Sequence, residues 1–117
     1  MDAAEIIRLE DILANARLAQ GFIGSLTKEQ FIGDKLRIYA VVRAIEIVGE
    51  AATCIAPERR AMIGAIPWRN MIDIRNRLIH GYQTVRAEVI YDTVRDKFPP
   101  LIVELEKILS ERPTNGS

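Results

Sequence analysis

The chain has 117 residues, 49% hydrophobic and 27% charged, which is enough to bury one core without disulfides or structural metals. Sixteen basic residues balance sixteen acidic ones, which excludes the broad positive field of a general nucleic-acid coat but permits a local cationic pocket. The single cysteine, Cys54, cannot form an internal disulfide, and no stretch is typical of a signal peptide or a membrane span. We therefore expect a soluble, cytoplasmic protein.

Apolar residues recur at helical spacing through most of the chain. The first predicted helix covers residues 2–20. A second begins after Thr27, which with Gln30 has the spacing of a capping box. Residues 35–56 are apolar on nearly every side, and this predicts a central helix that contacts several neighbours.

Prolines and a glycine mark the next boundaries. Pro57 is expected to end the central helix, and the sequence PERRAMIGAIP reads as a connector with one short turn at most. Pro67 stands where a new helix can open without a hydrogen-bond donor, and Gly81 is expected to end that helix.

The last third of the chain predicts two more helical segments. Residues 86–98 form the first, and Pro99–Pro100 are expected to interrupt it before 101–109 resume. No strand alternation or repeat is present, so the prediction is an all-α, up-and-down bundle of four to five helices. We expect one domain over residues 1–112 and a flexible tail at 113–117.

The stretch IRNRLIHGY holds the only histidine of the chain, His80, together with Arg75 and Asn76 before it and Tyr82 after it. On a helical wheel Arg75 falls in the middle of an apolar face, where a guanidinium needs a carboxylate, a phosphate or a partner subunit. His80 lies about 140° further round a straight helix. Because glycine readily ends a helix, Gly81 allows the chain to turn at His80 and redirect its side chain, so that arginine lines the wall of a cleft, with histidine and tyrosine at its lip.

A purely structural interpretation of these residues stays open at this point. Arginine, asparagine and histidine near a helix C-terminus also act as capping groups and complement the helix dipole. Trp68, Met71 and Ile72 fit core or dimer contacts better than base-stacking platforms, and Tyr91 fits the core.

The segment IPWRNMIDIRNRLIHGY, preceded by YAVVRAIEIVGEAA, resembles the HepT-like branch of the HEPN superfamily over roughly residues 4–109. Its signature, R-x4-H-x-Y, is matched by Arg75, His80 and Tyr82. The resemblance implies a compact helical homodimer that acts as a toxin and cleaves RNA without a metal or another cofactor. It also implies that Arg75 and His80 are the catalytic residues, with the polar Asn76 in support.

The resemblance further implies a partner and a modification. HepT-like toxins are paired with a minimal, MntA-like nucleotidyltransferase antitoxin, which silences the toxin by transferring AMP to the tyrosine of the motif. By resemblance the acceptor is Tyr82. No membrane partner is implied.

Metal-free RNA cleavage through the ribose 2′-hydroxyl requires a base, an acid and a cation on the phosphate. One histidine per chain cannot supply two imidazoles, whereas a two-fold dimer brings two copies of His80 and Arg75 into one cleft. The sequence offers no cluster typical of a metal site. If the protein is an enzyme, its single histidine therefore predicts a homodimer.

Glu46 and Glu50 on the central helix have two interpretations. They can pair with Arg43 at spacings of three and seven residues, or they can orient Arg75 from the neighbouring helix. The function also has an alternative: a non-catalytic HEPN adaptor that binds nucleotide or presents Tyr82 to a nucleotidyltransferase. The intact Arg75–His80 pair favours the ribonuclease, because a scaffold needs neither side chain.

Overall fold

The computed structural model describes residues 2–63, 66–81 and 85–111, and most of them are helical. These ranges contain no β-strand, which confirms the predicted all-α bundle. The predicted tail at 113–117 lies outside the described residues. In chain order the elements are α1 (Ala3–Ile23), α2 (Lys28–Ile32), α3 (Lys35–Thr53), α4 (Pro57–Met62), α5 (Trp68–His80), α6 (Ala87–Asp92), a π-helical segment (Thr93–Lys97) and α7 (Phe98–Ser110).

Side-chain caps fix where the first helices start. The predicted capping box opens α2: the Thr27 hydroxyl accepts from the Gln30 backbone N–H, and the Gln30 side chain accepts from the Thr27 N–H. Asp2 and Glu5 form the same reciprocal pair at the start of α1. Such caps satisfy backbone donors that have no partner within the helix, so each start is specified locally.

Helix α3 is the centre of the bundle, as its apolar sequence predicts. It packs against α1 on one side and α5 on the other, and α1 also contacts α7. The core is apolar throughout, since the described residues include no buried polar or charged residue. Burial of this apolar surface is the main source of stability for the bundle.

Two predicted boundaries shift. Helix α1 continues past residue 20 to Ile23, where Gly24 ends it with a φ of 54°. Helix α3 ends at Thr53, earlier than the predicted residue 56, and the connector after it contains the short helix α4. Pro57 opens α4 because the first turn of a helix requires no N–H donor there.

The predicted interruption at Pro99 and Pro100 is wrong, because the chain stays helical from α6 through α7. A proline ring clashes with the carbonyl four residues before it, which for Pro99 belongs to Arg95. Arg95 lies in the π-helical segment Thr93–Lys97, whose wider turn displaces that carbonyl. Both prolines then occupy the first turn of α7.

Tyr91 has the core role that the sequence predicts. Its ring lies 5.7 Å from that of Phe31, and its hydroxyl donates to the carbonyl oxygen of Leu26 at 2.9 Å. The Arg95 guanidinium lies 5.2 Å from the centre of the same ring. Through these contacts α6 and the π-helical segment pack against α2 and the residues just before it. No described helix is long and apolar enough to cross a membrane.

Candidate functional site

Helix α5 carries the motif and ends where the sequence predicts. Its last residue is His80, and Gly81 follows with a φ of 151°, a backbone conformation that side chains disfavour. The backbone N–H of Gly81 donates to the carbonyl oxygen of Leu78 at 3.3 Å. His80 is therefore exposed in the final turn of α5, at one end of the helix.

Arg75 lies in the middle of α5, where this helix packs tightly against α3 at Gly49. A Cβ atom placed on Gly49 would lie 2.2 Å from Cβ of Arg75, 2.7 Å from its Cγ and 2.9 Å from the carbonyl oxygen of Met71. No real side chain fits at these distances. Gly49 therefore allows the aliphatic part of Arg75 to lie directly on the α3 backbone.

The guanidinium of Arg75 has one described partner. Its Nη1 donates to Oδ1 of the adjacent Asn76 at 2.9 Å, whereas its Nε is buried and has no hydrogen-bond partner. Within the described residues Arg75 forms no ion pair, so no carboxylate neutralises its charge. A half-buried cation with unused donors is suited to an incoming phosphate.

Glu46 and Glu50 pair with Arg43, as the simpler of the two interpretations predicts. Nη1 of Arg43 lies 3.2 Å from Oε1 of Glu46 and 3.4 Å from Oε1 of Glu50. In the described part of one chain the partner of Arg75 is Asn76 and neither glutamate. The two glutamates lie three residues before and one residue after Gly49, so they belong to the stretch of α3 that faces Arg75.

His80 and Arg75 do not share one side of α5. Because the helix continues through His80, the two side chains keep the offset of about 140° that five helical residues impose. The expected turn comes only after His80, at Gly81. One chain thus presents the arginine against α3 and the histidine at the exposed end of the helix. Tyr82, the third residue of the motif, lies outside the described residues.

The remaining α5 residues have the packing roles that the sequence predicts. Trp68 is buried, and its Nε1 donates to the carbonyl oxygen of Ile63 at 2.9 Å. Met71 is also buried in the core, and Ile72 is half-buried. Among residues 2–63, 66–81 and 85–111 there is no group of three or more His, Cys, Asp or Glu side chains that could hold a metal ion.

Gly49 is the residue of this site that sequence reasoning missed. The V-G-E-A-A stretch carries a signal, since glycine is unfavourable inside a helix unless packing requires it. Periodicity alone does not say which neighbouring helix comes close at that point. The structure supplies the reason, because Arg75 occupies the space that a Cβ on residue 49 would need.

Known proteins similar in sequence to this chain share one family. A family model described as ribonuclease HepT-like matches residues 12–108. The chain is 38% identical over 100 residues to "Probable ribonuclease HepT" of Thermococcus cleftensis. The aligned region covers 86% of this chain and 91% of that protein. It is 34% identical over 103 residues to "Putative RNase MJ0127" of Methanocaldococcus jannaschii, with coverages of 88% and 85%. No solved structure gave a significant match.

The fold and the motif define an all-α protein with an arginine–histidine helix beside its central helix. The family model covers most of the length, and the relatives align over nearly their whole chains. The chain therefore belongs to the HepT-like ribonuclease family.

Proposed function

We propose that this protein is a metal-independent endoribonuclease and the toxin of a toxin–antitoxin pair. The observation that carries the proposal is the state of Arg75, a half-buried guanidinium that donates to Asn76, has donors left over and, within residues 2–63, 66–81 and 85–111, binds no carboxylate. Membership of a ribonuclease family gives those free donors a natural ligand, the phosphate of RNA.

The reaction uses the substrate's own nucleophile. A base removes the proton from the ribose 2′-hydroxyl, and the 2′-oxygen attacks the neighbouring phosphorus. The bond from phosphorus to the 5′-oxygen of the next nucleotide breaks, an acid protonates that oxygen, and a cyclic 2′,3′-phosphate remains. In our proposal one copy of His80 acts as the base and a second copy acts as the acid. Arg75 binds the phosphate as negative charge develops on the phosphate oxygens.

This division of labour requires a dimer. Each chain holds one histidine, and in one chain His80 and Arg75 lie on different sides of α5. A two-fold axis beside α5 provides two copies of each residue in one cleft. Exposed apolar side chains support such an interface: Ile79, on the same side of α5 as Arg75, is 47% exposed, and Leu36 and Tyr39 are exposed on α3.

Silencing completes the proposal. The antitoxin is an MntA-like nucleotidyltransferase that transfers AMP from ATP to the hydroxyl of Tyr82, two residues beyond His80, and releases pyrophosphate. The added phosphate brings a negative charge close to Arg75 and His80 and competes with the RNA phosphate. The bulk of the nucleoside also obstructs the cleft. Toxin, antitoxin and RNA would meet in the cytoplasm.

The experiment measures RNA cleavage by the purified protein in the presence of EDTA. We expect cleavage products that end in a cyclic phosphate, and a loss of at least a hundredfold in rate for Arg75→Ala and for His80→Ala. Circular dichroism checks that both variants stay folded. Dimers built from one wild-type and one His80→Ala chain should lose activity as well, because only one imidazole remains.

A different result would favour the adaptor. If the wild-type protein cleaves no RNA and does not arrest growth, but still binds the nucleotidyltransferase product of a neighbouring gene, the non-catalytic alternative holds. If cleavage requires Mg²⁺ or another added metal, the proposed chemistry is wrong even though the protein is a nuclease.

A further inference from the structure

A cavity of about 380 Å³ opens between α4 and the first turns of α5. Six residues line it: Pro57, Arg60, Trp68, Arg69, Ile72 and Asp73. We call it the Arg60–Arg69 pocket. It combines two cations with an apolar wall, and none of the roles proposed above accounts for it.

Several arginines of the chain form ion pairs, which the two arginines of the pocket lack among the residues that the structure describes. Arg59, the neighbour of Arg60, bonds Glu5 at 2.7 Å, and Arg43 bonds two glutamates. In the described part of the chain neither Arg60 nor Arg69 forms an ion pair. The Nε of Arg60 is buried without any hydrogen-bond partner. A buried guanidinium nitrogen without an acceptor is costly, so an anion that supplies one is stabilised there.

Arg69 lies on the same side of α5 as His80 and the supporting residue Asn76, whereas Arg75 lies about 120° away round the helix. On the α5 wheel Arg69, Asn76 and His80 fall within about 40° of one another. At 1.5 Å per residue, Asn76 is about 10 Å along the helix from Arg69, and His80 lies a further turn away. This distance is short enough for neighbouring nucleotides of one strand. A strand with its cleaved bond at His80 would therefore pass over the pocket.

We propose that the Arg60–Arg69 pocket binds a nucleotide that flanks the cleaved bond of single-stranded RNA. Arg60 and Arg69 hold its phosphate, since the planar guanidinium matches two phosphate oxygens. Pro57 and Ile72 provide the apolar wall for its ribose and base. Asp73 accepts a hydrogen bond from the base or the 2′-hydroxyl, which is the group that separates RNA from DNA.

This inference rests on the proposed ribonuclease function and adds a second phosphate-binding position to it. It predicts that the protein prefers chains of several nucleotides over a dinucleotide, because only the longer chain reaches the pocket. The preference should depend on both arginines. It should not depend on the total charge of the protein.

The test compares two double variants that each remove two positive charges. The double variant Arg60→Gln, Arg69→Gln removes both positive charges from the pocket. The control variant Arg8→Gln, Lys107→Gln removes two exposed positive charges from α1 and α7. The probe is a fluorescein-labelled oligouridylate that carries 2′-deoxyribose at every position, so it cannot be cleaved. Anisotropy over a salt series gives the dependence of the binding constant on salt.

We expect the pocket variant to bind more weakly and its logarithmic salt slope to fall by about 0.7, because the two arginines hold one phosphate and each phosphate of a single strand that is no longer neutralised lowers the slope by about 0.7. For cleavage, the ratio of kcat/KM on an oligouridylate to kcat/KM on the dinucleoside monophosphate UpU should fall about tenfold. The charge-matched control should keep both the slope and the ratio of the wild type.

An unchanged slope and ratio in the pocket variant would overturn the inference while leaving the ribonuclease function intact. If the wild type cleaves no RNA, the ribonuclease function fails, and the salt slope of the uncleavable probe alone decides on the pocket. If the pocket variant does not fold, the single variant Arg69→Gln, at an exposed side chain, replaces it and should lower the slope by up to about 0.7.

Discussion

Gly49 and Arg75 occupy one space between α3 and α5: the glycine has no side chain where the first two side-chain carbons of the arginine lie. The Cβ of an alanine at position 49 would stand 2.2 Å from the Cβ of Arg75. Backbone atoms cannot yield without moving one helix away from the other, because the carbonyl oxygen of Met71 is also only 2.9 Å away. The position of the guanidinium is thus set by the separation of two helices.

Gly49→Ala should therefore separate α5 from α3 and displace Arg75. We expect a destabilisation of about 1–3 kcal/mol from overpacking. We also expect a loss of RNA cleavage of at least tenfold, which exceeds any loss of folded protein. Thermal unfolding and initial cleavage rates on the same samples separate the two effects.

Gly21→Ala is the matched control, because a Cβ on Gly21 would meet nothing within 4 Å. Residue 21 lies inside α1, so alanine should stabilise the protein by about 0.5–1 kcal/mol and leave cleavage unchanged. Equal losses of activity in the two variants would contradict the role assigned to Gly49.

Asn76 offers a second test, because its Oδ1 accepts from Nη1 of Arg75. Asn76→Ala removes this hydrogen bond, which should cost about 0.5–1.5 kcal/mol and reduce kcat/KM on RNA roughly tenfold. Asn76→Asp keeps an acceptor in place but adds a negative charge beside the guanidinium. The carboxylate then competes with the phosphate, so RNA binding should fall further than in the alanine variant. Titration of both variants with an uncleavable RNA analogue compares their affinities for RNA. Tighter binding by the aspartate variant than by the alanine variant would exclude this competition.

The proposed dimer can be tested at Ile79. This side chain is 47% exposed on the Arg75 side of α5. Ile79→Asp would place a charge in an apolar interface, so we expect sedimentation to show a monomer and cleavage to be lost. Val103→Asp serves as the control, because Val103 is 64% exposed on α7 and belongs to no proposed interface. A variant at Ile79 that remains a dimer with full activity would place the two-fold axis elsewhere.

Tyr82 is the proposed acceptor of AMP. Tyr82→Phe removes the hydroxyl that accepts AMP and keeps the ring, so the variant should remain toxic and escape silencing by the nucleotidyltransferase. Co-expression followed by intact-mass measurement checks this. Wild-type toxin should gain the mass of one or more AMP groups, and Tyr82→Phe should gain none. AMP on the phenylalanine variant would assign the acceptor to another residue.

Local patterns predicted much of the fold. Helical spacing predicted the central helix, the Thr27–Gln30 pair predicted the start of α2, and Gly81 predicted the end of α5. These features depend on residues a few positions apart, which is the range over which hydrogen bonds and capping act. The ion pairs of Arg43 with its two glutamates follow from the same short spacing.

The geometry of the candidate site could be predicted only in part. The sequence predicted that Arg75 lies on an apolar face, but the identity of its neighbours depends on how closely α3 and α5 pack. That separation is a tertiary property, and Gly49 reveals it only once both helices are in place. The offset between Arg75 and His80 within one helix also means that a single chain does not complete the proposed site.

The π-helical segment at Thr93–Lys97 also bears on how the length of this chain can vary. Each i→i+5 hydrogen bond encloses one residue more than an α turn, so the segment holds a residue that a regular helix would not need. A chain that lacks this extra residue and has other residues in place of the prolines at 99–100 would form a regular helix here. Without a proline ring there is no clash with the carbonyl four residues earlier, so the wider turn is not needed. Relatives without these prolines are therefore expected to be shorter at this point, and a sequence alignment should place a gap inside an unbroken helix.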